Sequence, residues 1–237
     1  MLRGYRIRSS ECGVLLICKA TVIRYNNTNE ITQDGTNEQS IINKSITKNS
    51  EELKRIWELI GTDTERYPNA LPYSRWMISS NPIRDSRSGI TSQPIYLMRQ
   101  HCYSTLSDRL NLRPFLTIIE KTWISYQILR ALQAIHDIGV CHGHLTTENI
   151  CVTSYGWVLL TDFASFKPVC IPDYDLTEYI LHFEKTFTTE KRCYLAPERF
   201  YSKEIDNKQI TRLTPAMDIF STGCVLIETF LNGEKVN

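Results

Sequence analysis

Four polar side chains near the middle of the chain are spaced so that they could do chemistry together. His142 and His144 flank a glycine, Asn149 follows five residues later, and Asp162 comes just after the apolar run Trp157–Leu160. Amide and carboxylate oxygens are ligands that hard cations such as Mg²⁺ prefer, and an imidazole can accept a proton near pH 7. The sequence therefore offers oxygen ligands for a hard cation beside a candidate proton acceptor.

The same loop could instead hold a soft metal. Cys141, His142 and His144 place three zinc-type ligands within four residues, but no second Cys/His pair stands at the spacing of a structural zinc site. A packing role for loop residues is the more ordinary interpretation. We expect His142 to hold the loop through backbone contacts.

A helix and a strand must position this loop. A long helix is predicted after Pro114, because its apolar residues recur on one face, namely Ile124, Ile128, Ala131, Leu132 and Ile135. Gly139 is expected to cap its C-terminus. A shorter helix is predicted at Tyr103–Leu110 and a strand at Trp157–Leu160.

The first hundred residues predict strands interrupted by polar segments. Residues 5–25 predict two strands and Pro94–Arg99 predicts another. The polar, turn-rich stretches near 26–50 and 79–93 predict disordered surface insertions. Ser50 is expected to cap a helix whose buried face is formed by Leu53, Ile56, Trp57 and Ile60.

The loop resembles the catalytic loop of protein kinases, in which His, any residue, Asp and four further residues precede Asn. His142 and Asn149 keep that spacing, and Asp162 stands at the metal-binding Asp after the next strand. The resemblance implies an α+β, two-lobed protein-kinase-like fold, in which Asp218 caps the backbone of the loop. The small lobe (1–100) would be degenerate, and the large lobe (101–237) would be truncated after its central helix.

Longer strings resemble one family more closely. Between Gln100 and Glu228, strings such as HGHLTTEN, DFASFKP and YLAPERF are similar to the kinase-like regulatory subunit of class III phosphatidylinositol 3-kinase, of the vacuolar-protein-sorting type. That family scaffolds the lipid kinase on endosomal and autophagic membranes. The resemblance therefore implies a regulatory subunit whose partner is the catalytic subunit of that complex. It would be cytoplasmic, act in endosomal sorting and autophagy, and meet membranes indirectly.

The kinase resemblance also implies ATP and Mg²⁺ as cofactors. Asn149 and Asp162 would hold the metal, while Lys19 and Glu52 would form the ion pair that contacts the ATP phosphates. Glu51 is an alternative to Glu52. A solvated lysine and an unpartnered acid at a helix N-terminus are the ordinary alternatives, and no G-x-G-x-x-G precedes Lys19.

Three positions depart from the kinase pattern. His144 stands where the loop has its proton-accepting Asp, a group that contributes roughly 10²–10⁴ in rate. Thr146 stands where the resembled family has a phosphate-neutralising Lys. We expect phosphotransfer to be very weak or absent, while nucleotide binding can survive. Gly143 replaces the Arg that binds an activation-loop phosphate, so a phosphate switch in Ser165–Pro197 is not expected.

Two other function classes stay open: an active serine/threonine kinase that transfers the ATP γ-phosphate, and a non-functional truncated product. Truncation would leave apolar residues of the last helix partly uncovered, namely Phe220, Val225, Leu226 and Phe230. The net charge of +1 does not indicate a nucleic-acid partner. The eight cysteines form no CxxC pair and indicate reduced thiols, and no apolar run is long enough to cross a bilayer.

Overall fold

The computed structural model describes residues 4–8, 15–25, 38–79, 83–84, 91–183, 193–202 and 212–231. The chain divides into two compact units. One comprises Met1–Trp57 and Tyr73–His101, and the other comprises Glu58–Pro72 and Cys102–Asn237. Among the described residues, no helix combines the length and apolar character that a membrane span requires.

Within the described residues the chain forms both strands and helices, as the α+β prediction requires. The strands are β1 (Gly4–Arg8), β2 (Leu15–Tyr25), β3 (Ala70–Leu71), β4 (Arg75–Ile78), β5 (Ile83–Arg84), β6 (Thr91–Gln100), β7 (Ile150–Val152), β8 (Val158–Thr161), β9 (Ile171–Pro172) and β10 (Phe200–Tyr201). The α-helices are α1 (Glu38–Ile56), α2 (Leu106–Asn111), α3 (Ile118–His136), α4 (Leu176–Phe183) and α5 (Pro215–Phe230).

The first unit is built on a five-stranded antiparallel sheet. Neighbouring strands lie in the order β1, β2, β6 and β4, and β5 also pairs with β6. The β-branched and aromatic residues of β2 favour a strand. The two strands predicted in residues 5–25 are confirmed, because β1 and β2 lie there. In β6, Ile95 and Leu97 are buried, and Leu97 lies opposite Lys19 of β2.

Part of the insertion predicted near 79–93 belongs to this sheet. Ile83 pairs with Ser92 and Arg84 pairs with Thr91. The prediction of disorder is therefore wrong for these residues, because backbone pairing with a neighbouring strand outweighs the polar composition. Residues 80–82 and 85–90 lie outside the described part of the chain.

Helix α1 begins at Glu38 and not at Ser50. The prediction of a disordered insertion near 26–50 is therefore wrong for residues 38–50, while residues 26–37 lie outside the described residues. Ser50 is not an N-cap; its Oγ accepts a hydrogen bond of 2.9 Å from Nε1 of Trp76. The predicted apolar face is confirmed, since Leu53, Ile56 and Ile60 are buried and Trp57 is half-buried.

Helix α3 is the central helix of the second unit. It begins with a capping box in which Thr117 and Glu120 satisfy each other's backbone N–H groups. The predicted apolar stripe is confirmed, because all five of its residues are buried: Ile124, Ile128, Ala131, Leu132 and Ile135. The C-cap residue is Asp137, and Gly139 follows with a φ of 70°, which glycine adopts easily.

A three-stranded sheet lies beside α3, in the order β3, β8 and β7. Gln127 of α3 joins the helix to this sheet, because its Oε1 accepts from the Val158 N–H at 3.0 Å and its Nε2 donates to the Gly156 carbonyl at 2.8 Å. Strand β8 ends at Thr161, directly before Asp162. The predicted strand before that aspartate is thereby confirmed.

Helix α5 packs against α3, and Nζ of Lys121 donates to the carbonyl of Phe230 at 3.0 Å. Phe220 and Phe230 are exposed, as predicted, and Leu226 is half-buried. Val225 is fully buried, so the prediction that it is uncovered is wrong. Val225 lies on the buried side of the helix.

Candidate functional site: the His142–Asn149 loop

Asp218, near the start of α5, holds the beginning of the loop. Its carboxylate accepts hydrogen bonds from the backbone N–H groups of His142 (2.7 Å) and Gly143 (2.9 Å) and lies 3.0 Å from Nε2 of His136. Burial alone would raise the pKa of Asp218, but the hydrogen bonds from the His136 side chain and from the two backbone N–H groups outweigh it, and the net shift lowers the pKa. The predicted cap of the loop backbone is confirmed.

His142 is a structural residue. Its side chain is fully buried, and its Nε2 donates to the Thr161 carbonyl at 2.9 Å while its Nδ1 accepts the His144 N–H at 3.3 Å. Its ring also packs against Phe163. Burial lowers the pKa of His142 and keeps the imidazole neutral.

The alternative zinc site of Cys141, His142 and His144 is wrong, because both ring nitrogens of His142 already have hydrogen-bond partners. Among the described residues, the side chains that do approach one another are His136, Cys141 and Asp218, with ligand atoms within 4.8 Å. The Asp218 oxygens, however, accept the hydrogen bonds that hold the loop. This cluster is therefore part of the loop support.

His144, at the proton-acceptor position, is only 5% exposed. Its Nδ1 accepts hydrogen bonds from Nζ of Lys167 and from Nδ2 of Asn149, each at 3.0 Å. The edge of its ring meets the ring of Phe183, with centroids 5.2 Å apart. Because an ammonium group can only donate, Nδ1 of His144 carries no proton.

The structure ties Asn149 to the residue before Asp162. The Asn149 carbonyl accepts from the Thr161 N–H (2.9 Å) and from the Thr161 hydroxyl (2.8 Å). Nδ2 of Asn149 donates to the His144 carbonyl at 2.8 Å, which directs the amide oxygen away from that carbonyl. Asp162 has a φ of 63°, a strained value for a residue other than glycine that is common at functional sites. These side chains carry the types of oxygen that a hard cation such as Mg²⁺ prefers, and their role as metal ligands stays a prediction.

Thr146 begins the turn that leads to Asn149. Its carbonyl accepts the Asn149 N–H at 3.0 Å, and its side chain is buried. Its hydroxyl carries no charge, but Lys167 brings an ammonium group to the same loop at His144. We did not predict this role for Lys167; the signal was present in the string DFASFKP, five residues beyond Asp162.

Arg199 is a second residue that sequence reasoning missed. Its buried guanidinium donates to three backbone carbonyls, those of Gly143 (2.8 Å), Pro168 (3.0 Å) and Val169 (2.8 Å). It thereby joins the loop to the segment that follows Asp162. Because Arg199 binds backbone carbonyls, it holds the segment after Asp162 without a phosphate on that segment.

The remaining predicted residues lie in the first unit. Lys19 lies in β2, and its side chain is outside the described part of the structure. Glu52 lies in α1 and accepts a hydrogen bond of 3.1 Å from Arg55; Glu51 is exposed. The Lys19–Glu52 ion pair stays a prediction.

Comparison with known proteins places these features in context. Residues 22–236 match the model of the protein kinase domain. A serine/threonine-protein kinase VPS15 from Arabidopsis thaliana is 45% identical over 148 residues, which cover 62% of this chain and 10% of that protein. The VPS15 kinase of Saccharomyces cerevisiae is 44% identical over 173 residues, 71% of this chain and 11% of that protein. A probable vps15 kinase of Dictyostelium discoideum is 42% identical over 165 residues, 70% of this chain and 8% of that protein. The matched stretch thus spans about a tenth of each relative.

Proposed function

This chain belongs to the protein kinase family, and on that premise we propose that it is a kinase-like regulatory and scaffold subunit of a class III phosphatidylinositol 3-kinase complex. The strings between Gln100 and Glu228 resemble that regulatory subunit, and the relatives of 42–45% identity carry the VPS15 name. The partner would be the catalytic subunit of the lipid kinase. The subunit would be cytoplasmic, act in endosomal sorting and autophagy, and lie on endosomal or autophagic membranes through that complex.

We further propose that its own phosphotransfer is very weak or absent. The observation that carries this proposal is the position of His144, whose Nδ1 already accepts from Lys167 and Asn149. A kinase base must accept the proton of the substrate hydroxyl, and a nitrogen that already accepts from two donors is poorly suited to that role. The imidazole also lacks the fixed negative charge of an aspartate. We expect a loss of roughly 10²–10⁴ in rate from this position alone.

ATP and Mg²⁺ remain the proposed ligands. Asn149 and Asp162 would hold the metal, which would offset the negative charge of the phosphates when bound. Lys19, paired with Glu52, would contact the ATP phosphates. The hydrogen bonds from Thr161 to Asn149 support this assignment, because they keep the loop beside the end of β8.

The scaffold role is tested by capture. The full chain, immobilised, is expected to retain the catalytic subunit of a class III lipid kinase from purified components. Asp162→Ala and its exposed control Asp173→Ala should both retain it, because scaffolding does not require phosphotransfer. Failure of the folded wild-type chain to retain the catalytic subunit would contradict the proposal.

The activity is tested separately with Mg²⁺-ATP labelled at the γ-phosphate. Wild type is expected to transfer label to protein only at background level. Transfer at ordinary kinase rates that disappears in Asp162→Ala and persists in Asp173→Ala would overturn the proposal of weak activity.

An active serine/threonine kinase is the second candidate, favoured by the names of the relatives and by the presence of Asn149 and Asp162. A thermal-shift titration with Mg²⁺-ATP measures the nucleotide site that both candidates share, since a ligand that binds only the folded form raises the melting midpoint. Lys19→Ala is expected to reduce that shift. The labelling assay then decides between the candidates.

A further inference from the structure

Phe183, the last residue of α4, is anchored in a small apolar core. It is buried in one cluster with Ile171, Tyr179 and Leu195, against which the half-buried Phe200 packs. Burial of an aromatic ring of this size gives a large hydrophobic gain. The end of α4 therefore has a fixed place in the second unit.

The Phe183 ring also lies near three polar side chains of the site. The His144 ring stands edge-on to it at 5.2 Å, Nζ of Lys167 lies 5.2 Å from its centroid, and Cζ of Arg199 lies 5.0 Å from it. Both cations lie within the range of cation–π attraction. The ring thus contacts the residue at the proton-acceptor position and the two cations beside it.

The cations are themselves attached to the loop. Lys167 donates to Nδ1 of His144, and Arg199 donates to the carbonyl of Gly143, the residue before His144. Arg199 also holds the carbonyls of Pro168 and Val169, directly after Lys167. The ring and the groups that it contacts consequently form one connected set of interactions.

We propose that α4 closes the protein-substrate side of the loop, with Phe183 as the side chain that covers His144. His144 is only 5% exposed, which agrees with such a cover. A substrate hydroxyl has to come within hydrogen-bond distance of the group that accepts its proton, and a ring that covers His144 would obstruct that approach. The inference extends the proposed function, because the cover would exclude a protein substrate even with a carboxylate at position 144.

The cover is tested by the reactivity of His144 toward diethyl pyrocarbonate, followed by mass spectrometry of the modified peptides of the full chain. In wild type, His144 is expected to react much more slowly than His182, a half-buried neighbour of Phe183 on the same helix. Equal rates at the two histidines in folded wild type would overturn the proposal without any variant.

Variants then assign the protection to one ring. Phe183→Ala is expected to raise the His144 rate by roughly tenfold, the ratio that about 1.4 kcal/mol represents, while His142 stays unreactive. Phe183→Leu keeps an apolar side chain there and should preserve most of the protection. Phe200→Ala truncates a half-buried aromatic ring that packs against the same cluster, and it should leave the rate unchanged. If Phe200→Ala exposes His144 as much as Phe183→Ala does, the protection is a general effect of folding and the proposal fails.

The reactivity of His144 tests the cover independently of the proposed function. Capture of the lipid kinase tests the scaffold role and uses wild type, whereas the reactivity of His144 reports only on the cover. A chain that captures the lipid kinase while its His144 reacts freely would retain the function and lose the cover. A chain whose His144 is protected but that does not capture the lipid kinase would retain the cover and lose the proposed function.

Discussion

Lys167 donates a hydrogen bond of 3.0 Å from its Nζ to Nδ1 of His144, a residue 23 positions earlier in the chain. Nδ2 of Asn149 reaches the same nitrogen at the same distance. With two donors directed at Nδ1, the neutral imidazole must carry its proton on Nε2. The pair therefore fixes the tautomer of the residue at the proton-acceptor position.

Replacing Lys167 with Met should relax that tautomer. Methionine has no donor, and the Asn149 amide could rotate to offer its oxygen to a protonated Nδ1. We expect long-range ¹H–¹⁵N spectra above pH 7 to show only the Nε2–H form of His144 in wild type and a mixture in Lys167→Met. Lys54→Met, at an exposed lysine of α1, should resemble wild type. Detection of the Nδ1–H form in wild type would contradict the assignment.

Burial of His142 should make the protein less stable in mild acid. Its pKa is lowered by burial, although Asp218, the Thr161 carbonyl and Asp162 oppose the shift and Lys167 adds to it. Below the unfolded value of 6.5 and above the folded pKa, the unfolded state binds more protons. Stability therefore falls as pH falls through this window, by at most about 1.4 kcal/mol per pH unit for one proton.

Urea unfolding at pH 7.5 and at pH 5.5 measures this effect. His142→Gln cannot titrate, so its stability should change less between the two conditions than that of wild type. An equal change in both proteins would mean that other groups cause the acid sensitivity.

Two glycines provide a matched pair of alanine substitutions. Gly143 has a φ of 78°, and a Cβ there would lie 2.6 Å from Cδ1 of Leu213 and 3.3 Å from the Ala164 carbonyl oxygen. Gly143→Ala should lower the free energy of unfolding by about 1–3 kcal/mol, because an alanine is strained at this φ and its Cβ would approach these two atoms closely. Gly223 lies inside α5 with nothing within 4 Å of its Cβ position, so Gly223→Ala should gain about 0.5–1 kcal/mol.

Chemical denaturation of both glycine variants gives the comparison. A destabilised Gly223→Ala, or an unaffected Gly143→Ala, would show that the contacts of these two positions are assigned incorrectly.

Arg199→Lys should be strongly destabilising despite the conserved charge. A guanidinium can donate to three separated carbonyls from one plane, whereas an ammonium is a compact group on a flexible stem. Loss of one or two hydrogen bonds from a charged donor to buried carbonyls costs about 2–4 kcal/mol. Arg212→Lys, at an exposed site, should change the free energy of unfolding by less than about 0.5 kcal/mol. Equal denaturation midpoints of the two variants would contradict the role of Arg199.

Local patterns in the sequence predicted the elements that support the site. The apolar stripe on α3 and the strand before Asp162 are predicted from hydrophobic patterns that repeat every few residues. Such a pattern is complete within a short stretch of sequence. The resemblance to VPS15-type kinases and the kinase-like fold are confirmed by the matches to known proteins. The functional roles assigned to Asn149, Asp162, Lys19 and Glu52 stay predictions.

Contacts between distant residues were beyond such patterns. The start of α1 at Glu38 was missed because the residues before Ser50 are polar, and helix propensity is a weak guide without the tertiary contacts. Trp76, which binds Ser50, is 26 residues away. Likewise, Lys167 and Arg199 reach the loop only because the chain returns to it after β8.

Anyone who wished to engineer a phosphorylation switch into this chain would meet an obstacle at Gly143. Restoring the arginine that regulated kinases carry there would bring its first side-chain carbon against Leu213, on a backbone that L-amino acids rarely adopt. The carbonyl of Gly143 itself already accepts a hydrogen bond from the guanidinium of Arg199. A graft at this position would require the Leu213 side chain to move and the turn at Gly143 to be rebuilt.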